Sequence, residues 1–310
     1  MEAKLENGKI LVEDNKTLRR RKFGRITDKG ILLHPVEAGY LLMKGILRIR
    51  KNGESMGFPE FISEFSSDGD FIPLFLVYSD LRDRGKRVSI DGEYLYGDRI
   101  YLPISERAKI SIPQLYDIFW GKGEFILSVV DEESEITYYR VFVPELKGVT
   151  QVSDKRIHGI FAGDRVITQD REIFDRFFYG SEKDGLVALS ILEALYLQEK
   201  GFLDVDVDLR RIAEKVEKNF DKRYGLYKDL KDRGLVVKTG FKFGSDFRVY
   251  DKITDVSQLP HSKYLVSITE KTTLPEVSRA VRLANSVRKK MVFAFERDGW
   301  KYLVLDRIKV

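Results

Sequence analysis

The chain has 310 residues, 43% of them hydrophobic, enough for two or more domains with buried cores. It carries no cysteine, which excludes disulfides, thiolate catalysis and cysteine-held metals. Its longest apolar run, residues 71–78 with a proline inside, is far short of the ~18 residues of a membrane span.

The formal net charge is +5, unevenly spread. Residues 238–310 hold fifteen Lys and Arg against eight Asp and Glu, a local net of +7 that leaves about −2 for the rest. A polyanion is therefore expected to bind the last quarter of the chain.

The first ten residues lack a positive-then-apolar leader pattern, so the cytoplasm is the expected compartment. His34 precedes a proline at an expected helix start, where a structural role is the ordinary one. Residues 33–45 match residues 189–201 at seven of thirteen positions, at an offset of 156. Residues 78–85 (YSDLRDRG) match residues 227–234 (YKDLKDRG) at six of eight, at an offset of 149. Two ordered blocks at nearly one offset imply tandem duplication of a unit of roughly 150 residues.

Residues 131–135 (DEESE) form an acidic run, and His158 falls in a connecting segment between the halves. Residues 186–201 predict an amphipathic helix, with Leu189, Leu192, Leu195 and Tyr196 at helical spacing and Gly201 as its close. A second helix is predicted to end at Arg233 and Gly234. Strands follow over 235–240, 247–250 and 264–268. Thr273 and Glu276 form a capping box for a helix that buries Val277, Ala280, Val281, Ala284 and Val287. Strands over 291–295 and 302–305 close the chain.

The expected fold is mixed α/β, built from two tandem repeats. In each, a small helical and β N-terminal subdomain precedes a nuclease-like subdomain with a mixed sheet and packed helices. The expected divisions are 1–66, 67–148, 149–218 and 219–310.

Three residues in the basic region could do chemistry. Tyr250 ends a strand, His261 sits in a loop entering the next, and Lys289 stands where a helix gives way to a strand. Alone, each has an ordinary reading: a core or rim tyrosine, a loop histidine, and a cation complementing a helix dipole. No histidine pair stands at metal-ligand spacing and the basic repeat has no carboxylate cluster, so no metal or other cofactor is expected.

The run 227–250 (YKDLKDRGLVVKTGFKFGSDFRVY), with HSKYLV at 261–266 and RLANSVRKK at 282–290, resembles the tRNA-intron endonucleases. The likeness extends over the whole chain and is similar in layout to the homodimeric archaeal subgroup. It implies a catalytic triad of Tyr250, His261 and Lys289: base, acid and charge stabiliser. It also implies precursor tRNA as partner, cut at bulge-helix-bulge junctions without metal to leave 2′,3′-cyclic phosphate and 5′-hydroxyl ends. Arg282 and Arg307 are the implied RNA contacts, and Arg282 lies seven residues from Lys289, a spacing that predicts one helix face. Asp131, Glu132 and Glu133 are the implied contact to the other copy of the dimer. At the 149 offset, Tyr250 lines up with Tyr101 and His261 with Ile112; the lysine region lines up near Gly123 and Glu124, so the first repeat is expected to be catalytically silent. A non-catalytic RNA-binding subunit and a metal-dependent DNA nuclease are the competing readings.

Overall fold

Matching helix caps mark the two repeats. His34 begins α1 (Pro35–Met43): its Nδ1 accepts from the Val36 amide at 3.2 Å, and the Glu37 carboxylate accepts from the His34 amide at 3.0 Å. Ser190 and Glu193 form the same reciprocal cap at the later helix Ile191–Glu199. The helix predicted over 186–201 is therefore shorter than expected. Leu186–Ser190 is a strand whose Val187 and Leu189 point inward on alternate residues, and Leu189 fitted both periods. His158 lies on a two-residue strand, exposed, with Asp204 3.9 Å away.

The computed structural model describes all residues except 68, 218, 252, 254–260 and 270–271. In the first repeat, α2 (Phe71–Asp83) is followed by β1 (Ser89–Asp91), β2 (Tyr94–Tyr96), β3 (Ile100–Ser105), α3 (Ile112–Lys122), β4 (Phe125–Val130) and β5 (Ile136–Phe142). In the second, α4 (Ile191–Glu199) and α5 (Phe220–Asp232) precede β6 (Val236–Thr239), β7 (Phe247–Tyr250) and β8 (Tyr264–Ile268). Then come α6 (Leu274–Ser286), β9 (Lys290–Glu296) and β10 (Trp300–Ile308). Helices α2 and α5 have thirteen residues each, and each is followed by a glycine at positive φ, Gly85 or Gly234.

These strands make one ten-stranded sheet in the order β6-β7-β8-β9-β10-β5-β4-β3-β2-β1. The repeats meet where β5 and β10 pair antiparallel, Tyr139 opposite Arg307 and Val141 opposite Leu305. On one face, α3 and α6 pack over both halves through Ile112, Leu115, Val277 and Val281 against Leu127, Phe293 and Leu305. On the other, each half has its own core, under α2 in the first repeat and under α4 and α5 in the second. Parting the repeats would expose two strand edges and split a shared core. The N-terminal parts carry separate sheets, six-stranded in the first repeat.

The constant offset fails beyond the helices. Between α2 and α3 lie 28 residues; between α5 and α6 lie 41. By pairing order, β2 is the counterpart of β7 and β3 of β8. Tyr101 therefore does not correspond to Tyr250, as the offset suggested: it lies on β3, fully buried, its hydroxyl donating to Asp98 at 2.9 Å. Ile112 opens α3 and is no counterpart of His261. The residue standing where Tyr250 stands is Tyr96. Five of the thirteen extra residues lie between α5 and Tyr250, and eight lie between Tyr250 and α6, the stretch that carries His261.

Candidate active site

Strand register gathers three of the expected residues. Tyr250 ends β7, and the neighbouring Val249 carbonyl accepts from the Lys263 amide at 3.1 Å, so Tyr250 lies beside Lys263 at the entry to β8. The Lys263 carbonyl accepts from the Lys290 amide at 3.0 Å, which sets Lys289 on the other side of Lys263. Met291 pairs with Leu305, and the Lys290 ammonium lies 3.3 Å from Asp306; one residue further, Lys289 falls beside Arg307. Tyr250, Lys289 and Arg307 thus share one row across four strands. At a strand spacing of about 4.8 Å, the backbones of Tyr250 and Lys289 are about 10 Å apart. His261 lies two residues upstream of Lys263, before β8 begins and outside that row.

Lys289 owes its direction to a local break. Helix α6 ends at Ser286, and Arg288 turns left-handed at φ 57°. The Lys289 amide donates back to the Ala284 carbonyl at 2.9 Å. The side chain is 7% exposed, and its ammonium donates to the Ser262 carbonyl at 3.2 Å and lies 5.5 Å from the Phe243 ring centre. Burial pushes its pKa below the ordinary lysine value, and the Arg248 guanidinium adds to the shift.

Tyr250 is 4% exposed and packs with Phe178, Val236 and Ile253. His261 is exposed, without a hydrogen-bond partner among the described residues. The residues before it, 254–260, lie outside those described. Among the described residues, no group of three or more His, Asp or Glu side chains is placed to hold a metal ion.

Known proteins resemble this chain along its length. The model for the catalytic C-terminal domain of tRNA intron endonucleases matches residues 220–302, and the model for their N-terminal domain matches residues 1–62 and again 157–217. A tRNA-splicing endonuclease of Methanococcoides burtonii is 35% identical with both chains fully covered. One of Methanosarcina mazei is 37% identical over 93% of this chain and 92% of its own. One of Natronomonas pharaonis is 36% identical, with 96% of each covered. The chain belongs to the tRNA intron endonuclease family. Membership carries the coarse activity, endonucleolytic cutting in tRNA splicing.

Both expected RNA-contact arginines are exposed, and both border Tyr139. Arg307 is its cross-strand partner, and Arg282 lines with it a cavity of about 320 Å³ under α6. The seven-residue spacing to Lys289 does not act through a shared helix face, because α6 stops three residues short of that lysine.

The acidic run is the hairpin between β4 and β5. Asp131 is committed to the turn: its Oδ1 accepts from the amides of Glu133 at 3.0 Å and Glu135 at 2.9 Å. Glu132 pairs with Arg107. Glu133 is exposed and has no ion pair among the described residues.

A cleft of about 540 Å³ opens between the second N-terminal part and the catalytic sheet, lined by Arg165, Arg223, Lys238 and Arg248. The first three are paired, with Asp164 at 2.7 Å, Glu217 at 3.0 Å and Glu193 at 3.0 Å. Arg248 has no ion pair among the described residues, and its Nε is buried without a partner. Sequence reading missed Arg248, although its position two residues before Tyr250 on one strand face was the available signal.

The corresponding place in the first repeat of this endonuclease chain is altered. The Tyr96 hydroxyl accepts from the Lys122 ammonium at 2.8 Å, and Glu124, just before β4, pairs with Arg140 at 2.9 Å. A carboxylate thus stands near where the second repeat has Lys289.

Proposed function

We propose that two copies of this chain excise introns from precursor tRNA by cutting at exon–intron junctions folded as bulge-helix-bulge, with the second repeat of each copy catalytic and the first silent. The 2′-oxygen attacks the adjacent phosphorus while Tyr250 takes its proton. The bond from phosphorus to the 5′-oxygen breaks, and His261 protonates that oxygen. Lys289 holds its charge against the extra negative charge on phosphorus. The products are a 2′,3′-cyclic phosphate and a 5′-hydroxyl. The nucleophile is part of the substrate, and holding it in line is worth an effective molarity on the order of 10⁵–10⁸ M. An imidazole, with an ordinary pKa of ~6.5, suits the acid role near neutrality.

The observation that carries this reading is the row joining Tyr250 to Lys289 across β8, with His261 at its entry. The basic last quarter suits a polyanion. Arg282 and Arg307 would hold an unpaired bulge base, since guanidinium planes stack on splayed bases. A dimer with one site per copy matches a substrate with two cut sites. The acidic hairpin of one copy would enter the basic cleft of the other, where Arg248 is free to meet Glu133. Catalysis of this kind belongs to the cytoplasm, where the transcripts are.

The test is an intron-containing transcript incubated with purified protein in excess chelator, followed by end-group analysis. Cyclic phosphate and 5′-hydroxyl ends are expected. Loss of all cutting in chelator overturns the mechanism.

A further inference from the structure

Phe241 is 87% exposed, the most of any large apolar side chain among the described residues. A single exposed apolar residue is ordinary on a protein surface. This one is unusual in what holds it and in what lies beside it. It opens a 3-10 turn, Phe241–Phe243, set between two glycines. A Cβ on Gly240 would meet the Ser245 Oγ at 2.3 Å, and Gly244 is left-handed at φ 60°. The Phe243 amide closes the turn onto the Gly240 carbonyl at 2.7 Å. The ring of Phe241 is thus presented from a backbone of fixed shape.

The same turn reaches the catalytic row. Phe243 folds inward and its ring centre lies 5.5 Å from the Lys289 ammonium, while Phe241, two residues away, is only about 4 Å further along the turn. The turn also adjoins α6, since a Cβ on Gly244 would lie 4.0 Å from Leu283, the neighbour of Arg282. Lys242, between the two phenylalanines, is exposed. An aromatic face among cations beside a phosphate site is the chemistry that binds single-stranded nucleic acid, with a base on the ring and the backbone on the charges.

We propose that Phe241 is a stacking platform for an unpaired RNA base next to the scissile phosphate, fixing the strand before attack. The proposal rests on the RNA-cutting reading above. The ring is solvated, so its replacement leaves the fold intact, which melting curves verify.

The test uses Phe241→Ala, Phe241→Leu and Phe241→Trp with a bulged RNA carrying 2-aminopurine at each unpaired position in turn. The alanine variant is expected to raise KM on the order of ten-fold with a smaller change in kcat. It should also release the quenching of 2-aminopurine at one position; tryptophan restores both and leucine restores neither. Alanine indistinguishable from wild type in KM and fluorescence overturns the proposal. So does full rescue by leucine, which would mean plain apolar contact. A shift of the alanine variant to monomer in sedimentation would assign the ring to a protein interface and also overturn it. If the wild-type protein bound this RNA without cutting it, the functional reading would fail, while the fluorescence titration would still decide the base contact.

Discussion

The Lys289 ammonium donates to the carbonyl of Ser262, the residue after His261, across 3.2 Å. That bond ties the junction of α6 and β9 to the entry of β8, and so links the backbones that carry the proposed charge stabiliser and acid. Burial and Arg248 hold the Lys289 pKa low, so its ammonium loses its proton at a lower pH than an ordinary lysine. Catalysis that needs the cation declines as pH rises through that lowered value. Single-turnover rates against pH should therefore fall on the alkaline side below the ordinary lysine range. Arg248→Gln should move that limb upward, and superimposable profiles would refute the coupling. Lys289→Ala should cost about 10²–10³ in rate, the usual penalty for removing one donor to a developing anion.

His261→Ala separates binding from chemistry. The imidazole is exposed and makes no hydrogen bond among the described residues, so its loss should leave the melting temperature unchanged. RNA affinity should also stay near wild type, while cleavage falls about 10²–10⁴-fold, the range of general acid catalysis. Equal single-turnover rates in variant and wild type would remove His261 from the mechanism.

The acidic hairpin holds two kinds of carboxylate, which should behave differently. Asp131→Ala breaks two hydrogen bonds from turn amides to a charged acceptor and should lower stability by about 1–3 kcal/mol in urea titration. Glu133→Lys touches no bond of the turn made by its side chain. It should leave stability within about 0.5 kcal/mol while converting dimer to monomer in sedimentation velocity. A Glu133→Lys protein that stays dimeric at wild-type concentrations would rule out docking of this loop.

Much of the catalytic half was legible because its signals are local. The Thr273 and Glu276 cap, the apolar stripe of α6 and the alternating strands each depend on residues a few positions apart, and each formed where its pattern lay, except that Ala280 is only half-buried and Val287 lies just past the helix. The internal repeat was legible in α2 and α5, where it is strict. What the sequence hid depends on insertions and on pairing. Five extra residues between α5 and Tyr250 moved its counterpart from Tyr101 to Tyr96, which only strand order reveals. Leu186–Ser190 misled because its inward residues also fit a helical stripe. Arg248 escaped notice because its significance lies in a buried Nε without a partner among the described residues, a property of the packed molecule.

The repeats also differ at a buried cation, and that difference has a stability consequence. Arg82 in α2 donates to the Tyr78 hydroxyl at 2.8 Å and to the carbonyls of Arg21, Lys22 and Val88 at 2.8, 3.0 and 2.9 Å. The equivalent residue in α5 is Lys231, 4% exposed, with its ammonium 4.1 Å from the Tyr179 ring centre. Burial pushes its pKa down to about 7, with Lys238 adding to the shift and Glu193 and Asp232 opposing it. Unfolded, the side chain regains the ordinary value near 10.5. Between those two values the unfolded chain holds a proton that the folded chain does not, so stability rises with pH across that window. Below about pH 7 the fold must bury the cation. Lys231→Met keeps the volume and removes the charge, and should stabilise the protein by about 1–4 kcal/mol at pH 6. The gain should shrink towards zero by pH 10.5, where the lysine is neutral in the folded state and losing its charge in the unfolded one. Urea titrations at the two pH values decide it: an equal gain at both would mean that packing, and not the buried charge, sets the difference.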